Sequence, residues 1–373
     1  MTSPGPAHAA VRGTESGCLA IADISGYTSY LGQAELDHAQ DVLEDLTETV
    51  VKALTPPMHL AKLEGDAVFV YLPGTRVDAS MLLDTLDAAY FAFRRRQEAI
   101  DRATQCDCNA CVLIPSLNLK LFAHHGTFIR ERIFGTTELT GTDVVVIHRL
   151  LKNSVAETTG LIGYALLTDA CLAAAGLDPT PLELREHRET YESLGEIRCW
   201  LHDLERAWRR ERELRRVRVT DRDTMTSVEV ELPVSPARAW SYLTDPLQRP
   251  KWVPAIVRID QSNAAGRRGV GTTNHCVHGD GVTLEEILDW RPFDYFTIRT
   301  TVPEVASGLM TYELEPLDVG TRVRIRFGRP RSKQARAVAE QLFPQLAAMF
   351  EQSFAELRAL IAAEEPAEAA LAG

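Results

Sequence analysis

No stretch of the 373-residue chain approaches the roughly 20 consecutive apolar residues that a membrane-spanning helix needs, so no membrane span is expected. Positive charge is in deficit: 40 Lys and Arg stand against 52 Asp and Glu, a formal net charge of −12. A general nucleic-acid binder needs a basic surface to displace counterions, so no nucleic acid is expected as a partner. A nucleotide is not excluded, because bound cations can supply a positive field locally. The first 17 residues are rich in Ser, Pro, Gly and Ala but hold no apolar core of signal-peptide length. They read as a disordered lead-in to a cytoplasmic protein. Cysteines are seven, an odd and mostly scattered set (Cys18, Cys106, Cys108, Cys111, Cys171, Cys199, Cys276), which suits a reducing compartment better than a disulfide framework. No internal repeat is visible.

What is present describes an ordinary globular chain, 45% hydrophobic and 25% charged, long enough for two buried cores. Two short aspartate-bearing segments are its most informative feature: residues 19–28, with Asp23, and residues 62–71, with Asp66. Each reads as an apolar strand that ends in, or turns around, a carboxylate beside a glycine. A helix-length stretch between them, Leu36 to Leu54 with apolar residues at helical spacing and Pro56-Pro57 after it, lets the two strands share a sheet. Two carboxylates at neighbouring strand ends are what a pair of divalent cations needs to grip a triphosphate; the competing reading is two acidic turn residues.

Strands and helices alternate as far as about Leu204, predicting an α+β or α/β sandwich with a mixed sheet over residues 18–204. Residues 205–224 carry eight arginines with Glu211 and Glu213 among them and read as a solvated, arginine-rich linker. From residue 225 the pattern changes. A strand and a short helix starting at Ser235-Pro236 precede a series of β-runs, and a long amphipathic helix from about Lys333 closes the unit near 364, leaving 365–373 as a tail. A curved antiparallel sheet around such a helix encloses a concave apolar space suited to a small hydrophobic ligand. Trp252, His275 and Trp290 are the candidates to line it, with core packing as the other reading for the tryptophans.

The segment Asp23-Ile24-Ser25-Gly26-Tyr27-Thr28 resembles the first metal-binding segment of class III nucleotidyl cyclases, and Gly65-Asp66 with its following strand resembles the second. Residues 141–150, ending in Arg149-Leu150, are similar to the opening of the helix with which those enzymes contact ribose and phosphate. The whole stretch looks closer still to an uncharacterised bacterial family related to these cyclases. The resemblance implies a homodimer with Mg2+ or Mn2+ held by Asp23, Asp66 and the carbonyl of Ile24, and ATP converted to cyclic AMP and pyrophosphate. It implies Lys62 as a base reader with Glu138 as its acidic partner, and Arg149 as a stabiliser of transition-state charge. Valine stands at 145, where the family orients ribose with asparagine, and the lysine expected for the triphosphate near 193–195 is missing; Lys152 or Asn153 are the compensating candidates. A catalytically degenerate sensor or scaffold is therefore the alternative function.

Residues 230–245, with Trp252, Gly269–Thr273, Trp290 and the final helix, resemble the START and polyketide-cyclase-like helix-grip superfamily, whose members share a fold but not a ligand. Separately, Cys106, Cys108 and Cys111, with His124 about a strand later, could hold Zn2+ in a tetrahedron; thiol redox chemistry and plain loop packing are the other readings.

Overall fold

The computed structural model describes residues 13–103, 108–133, 136–279, 281–302, 306–330 and 332–372. They fall into two compact units, divided between Glu213 and Leu214.

The N-terminal unit begins with β1 (Glu15–Ser25), α1 (Tyr27–Leu31), α2 (Leu36–Leu54), β2 (His59–Glu64), β3 (Ala67–Pro73) and α3 (Ala79–Ala103). It continues through α4 (Asn109–Val112), β4 (Asn118–Ile133), β5 (Thr136–Thr140), α5 (Thr142–Arg149), α6 (Val155–Thr159) and β6 (Tyr164–Thr168). It closes with α7 (Asp169–Ala175), β7 (Arg185–Tyr191), β8 (Gly195–Asp203) and α8 (Leu204–Glu213). The sheet order is β2-β3-β1-β4-β6-β8-β7, with β5 paired to β4, and only the β4–β6 pairing is parallel. It is the mixed sheet that the sequence predicts.

The run Cys18–Ala22 is continuously apolar because β1 lies mid-sheet with both faces covered. Cys18, Ala20, Ala22 and Ile24 face a core shared with Ala39, Leu43 and Leu46 of α2 and Leu86 and Phe93 of α3. Leu19 and Ile21 face a second core with Phe69, Phe122 and Ile147. Residues 204–213 are not part of a solvated linker. They form α8, whose arginine-rich face hides a short apolar stripe: Leu204 and Trp208 are buried, and Trp208 packs on Phe91 with ring centroids 5.5 Å apart.

The C-terminal unit contains β9 (Thr224–Leu232), α9 (Pro236–Thr244), β10 (Arg258–Ser262), β11 (Thr273–His278) and β12 (Gly281–Arg291). It ends with β13 (Tyr295–Val302), β14 (Ala306–Pro316), β15 (Thr321–Gly328) and the long α10 (Lys333–Ala372). Its sheet is antiparallel throughout, in the order β10-β11-β12-β13-β14-β15-β9, which with α10 makes a helix-grip fold. Ser235 caps α9 by accepting from the Arg238 N–H, and Pro236 occupies the first turn, where its missing donor costs nothing. Phe350, Phe354, Leu357 and Ile361 are the buried stripe of α10. Among the described residues no helix is long and apolar enough to cross a membrane.

Candidate functional site

Asp23 lies near the end of β1, opposite Ala67 of β3 on one side and Lys120 of β4 on the other. Asp66 immediately precedes Ala67, in the two-residue turn that joins β2 to β3. That turn needs Gly65, whose φ of 68° is in the left-handed region where a side chain is strained. The backbone N–H of Ile24 donates to the Asp66 carbonyl at 3.1 Å, tying the strand end to the turn, while the Ile24 side chain is buried in the core. The two aspartates therefore stand side by side. Their electrostatics agree: burial first, then the negative charge of Asp66, pushes the Asp23 carboxyl up to about 6, with Lys120 pulling the other way.

A carboxylate held in this position costs stability unless a cation offsets it. The unfolded chain ionises Asp23 near 3.8 and the native one near 6, so stability falls as pH rises from about 4 to about 6 and is level above. Such a shift is worth roughly 3 kcal/mol in full, less with partial solvent access. Asp23→Asn is thus expected to stabilise the metal-free protein by about 1–2 kcal/mol above pH 6 and to do nothing near pH 3.5. Urea unfolding at the two pH values measures this; equal stability of variant and wild type at pH 7.5 would refute it.

Lys62, on β2, reaches Glu138 of β5 at 3.3 Å and Glu64 at 3.0 Å. Its hydrogen bond to Glu64 raises its ammonium above the ordinary range; burial opposes this, and the bond to Glu138 adds to the rise. The basic and acidic residues expected together, 76 positions apart, do meet. Glu64 and His148 were missed by sequence reasoning. His148 Nε2 sits 3.0 Å from Glu64 Oε2, while Nδ1 donates back to the Val144 carbonyl at 2.7 Å. The ring meets Phe69 edge-on, with centroids 4.9 Å apart. One carboxylate thus links the lysine of β2 to the helix α5.

The outer face of α5 and the turn after it form an open groove of about 270 Å3 lined by Val144, Val145, His148, Arg149 and Lys152. Val145 is 48% exposed there. Arg149 and Lys152 are exposed and have no side-chain hydrogen bond or ion pair among the described residues. Arg149 lies close enough to Tyr191 for its charge to oppose the burial that raises that hydroxyl. Asn153 is committed elsewhere: its amide donates to the Leu150 carbonyl and its oxygen accepts from Tyr164.

His124 does not join the cysteines. Strand alternation turns it inward, where Nδ1 pairs with Thr168 Oγ1 at 2.8 Å and Nε2 with Asp143 Oδ1 at 3.1 Å. Burial holds its imidazole below the ordinary range. Asp143 also accepts from Thr127, and its carboxylate fills the space above Gly126, so this trio anchors the start of α5. The histidine beside the thiols is His38, with Nδ1 3.3 Å from Cys108 Sγ. Cys106 lies outside the described residues.

In the C-terminal unit the expected pocket residues have other work. Trp252 is 2% exposed, donates to the Tyr242 carbonyl at 2.9 Å and stacks on Phe354. Trp290 packs edge-on against Trp240 at 4.7 Å and against Phe296. His275 is exposed while its neighbours Asn274 and Cys276 are buried, so it faces away from the interior. What sequence reasoning missed is a buried polar group on that inner face. Arg249 grips Glu285 with two bonds of 2.6 and 3.0 Å, and Asn274 donates to Glu285 at 3.2 Å. Cys276 lies beside them, its thiol pushed up to about 12, chiefly by burial.

Comparison with known proteins follows the same division. Residues 43–159 match the family described as "Protein of unknown function (DUF2652)" and residues 223–362 that described as "Polyketide cyclase / dehydrase and lipid transport". A Mycobacterium tuberculosis relative, "Uncharacterized protein Rv2561/Rv2562", is 33% identical over 163 residues, 43% of this chain and 73% of the relative. Among solved structures, the guanylyl cyclase Cya2 is similar at 16% identity and a TM-score of 0.38, covering 51% of this chain and 92% of that one. A bacterial light-regulated adenylyl cyclase is similar at 10% identity and 0.40, covering 55% and 59%. Protein MLL2253 from Mesorhizobium loti is similar at 23% identity and 0.28, covering 35% and 95%. The chain belongs to the DUF2652 family through its N-terminal unit and carries a polyketide cyclase/dehydrase and lipid-transport domain as its C-terminal unit.

Proposed function

We propose that the N-terminal unit binds a nucleoside triphosphate together with two divalent cations, Mg2+ or Mn2+, and converts ATP to cyclic AMP and pyrophosphate. The observation that supports this best is the side-by-side placement of Asp23 and Asp66, a pair whose mutual repulsion asks for a cation. The donor set fits, since hard divalent ions take carboxylate and carbonyl oxygens, here the two aspartates and the Ile24 carbonyl. Bound there, the cations would lower the pKa of a ribose hydroxyl and neutralise charge on the phosphates. The chain's own residues then position the nucleotide. Lys62 and Glu138 offer a donor and an acceptor to the base edge, and Arg149 and Lys152 leave their charges free for the phosphates. Such enzymes work as pairs, and a homodimer is consistent with the exposed apolar side chains Leu60, Leu63 and Val145. The C-terminal unit holds a small hydrophobic ligand whose occupancy regulates the N-terminal unit. Scattered cysteines outside any disulfide among the described residues suit a reducing compartment, and the protein acts in the cytoplasm.

A second reading, a sensor or scaffold that binds nucleotide or ligand without turnover, is favoured by Val145. An exposed valine in the groove cannot hydrogen-bond a sugar, and losing one positioning contact costs on the order of 100-fold in rate. Chromatographic assay of cyclic nucleotides made from ATP and GTP with Mn2+ separates the two. Product that depends on Asp23 and Asp66 supports turnover; binding by calorimetry with no product supports the second reading. Neither binding nor product at millimolar nucleotide ends the first reading and leaves only the ligand-binding form of the second.

Lys62 and Glu138 give a sharper expectation. Their ion pair is part-exposed and worth at most about 1 kcal/mol, so Lys62→Ala leaves stability nearly unchanged. A charged donor to the base is worth about 1.5–3 kcal/mol, so the same variant loses roughly 10–100-fold in affinity for the preferred triphosphate. Calorimetry with ATP and GTP measures it, and unchanged affinity for both would remove Lys62 from the base site.

A further inference from the structure

His38, Cys108 and Cys111 form a cluster that the nucleotide reading does not use. His38 is in the first turn of α2, while Cys108 directly precedes α4 and Cys111 lies within it. The backbone N–H groups of Cys111 and Val112 donate to the Cys108 carbonyl at 3.1 and 3.0 Å, closing a turn that brings the two sulfurs to one side. Neither cysteine is in a disulfide. The two sulfurs and a ring nitrogen of His38 all lie within 4.8 Å of one another, with His38 Nδ1 only 3.3 Å from Cys108 Sγ. Tetrahedral zinc, with bonds of about 2.3 Å to sulfur and 2.0 Å to nitrogen, sets its donors roughly 3.3–3.8 Å apart, so little movement is needed to receive the ion.

The surroundings hold this geometry independently of any ion. Ala110, between the two cysteines, is buried; its N–H donates to Glu35 Oε2 at 3.0 Å and its carbonyl accepts from Tyr30 Oη at 2.7 Å. Residues of α1 and of the start of α2 thereby fix α4 against His38. The histidine is exposed and the two cysteines are half-buried, which leaves a path for an ion to enter. Two thiolates and an imidazole are a soft donor set, which selects zinc over the magnesium or manganese suited to the aspartates.

We propose that His38, Cys108 and Cys111 bind one zinc ion, which clamps α4 to the start of α2. Three protein ligands leave a fourth position for water or another donor.

Metal analysis of the full-length protein, purified anaerobically without chelator and dialysed, tests the site. The expected result is close to one zinc per chain, released by a chromophoric chelator as two thiols become reactive to alkylation. Cys108→Ser and Cys111→Ser are expected to lower zinc affinity at least about 100-fold and His38→Ala at least about 10-fold, while the exposed His59→Ala changes nothing. Cobalt substitution of the unaltered protein, read by its thiolate charge-transfer band and tetrahedral d–d spectrum, checks the donor set without any variant. Absence of stoichiometric zinc after reduction and reloading, a Cys108–Cys111 disulfide that binds no metal once reduced, or wild-type affinity in the cysteine variants would overturn the proposal.

Discussion

Asp23→Ala and Asp66→Ala are each expected to lower cation-dependent affinity for a nucleoside triphosphate by at least about 100-fold. Removing even an outer partner of a bound metal costs about 10–100-fold, and the proposed function makes these residues direct ligands. The two variants should fail alike, because either leaves one carboxylate where a shared pair is needed. Charge makes the effect pH-dependent. Asp23 ionises only at about 6, so wild-type affinity should fall as pH drops through 6, while the triphosphate itself stays anionic. Calorimetry with ATP or GTP and Mn2+ at pH 7.5 and pH 5.5 reads both. A wild-type affinity that both alanine variants keep would show that the pair holds no cation, and the nucleotide reading would fall with it.

Much of this site is legible in the sequence, and the reasons for the failures are physical. Asp23 and Asp66 stand out because β1 and β3 are apolar runs that each meet a carboxylate near one end with a glycine close by, a signal carried by neighbours in the chain. Lys62 with Glu138 is invisible to spacing alone, and only the family resemblance paired them. Glu64 and His148 were missed for the same reason: a contact across 84 residues leaves no local trace. Nearness in sequence to the cysteines makes His124 a candidate zinc ligand. The alternation of β4 sends it to Thr168 and Asp143, while His38, 70 residues before Cys108, arrives by way of α2. Charge misled at α8, where Leu204 and Trp208, four residues apart, outweigh the surrounding arginines and dock the helix. The apolar residues of β12 do not mark its buried face. Val282 and Leu284 are exposed and Glu285 is buried, because Glu285 shares its face with Ile287 and a bulge between Ile287 and Asp289 then resets the phase to bury Trp290.

That inverted strand leads to the largest expected loss of stability. Glu285 is 6% exposed and accepts two bonds from Arg249 and one from Asn274. Burial alone would raise its carboxyl; the Arg249 guanidinium more than offsets this and holds it below the ordinary range. The pair's contribution is therefore present above about pH 4.5 and is lost as pH falls through the lowered value. Glu285→Ala leaves the Arg249 guanidinium buried without its counter-charge, and the expected cost is about 3–5 kcal/mol. Arg249→Met combined with Glu285→Leu should recover most of that loss, because an apolar pair of similar volume needs no charge desolvated. Urea unfolding of the single and double variants measures both steps. A double variant as unstable as Glu285→Ala would mean that packing around the pair, and not its charge, sets the cost.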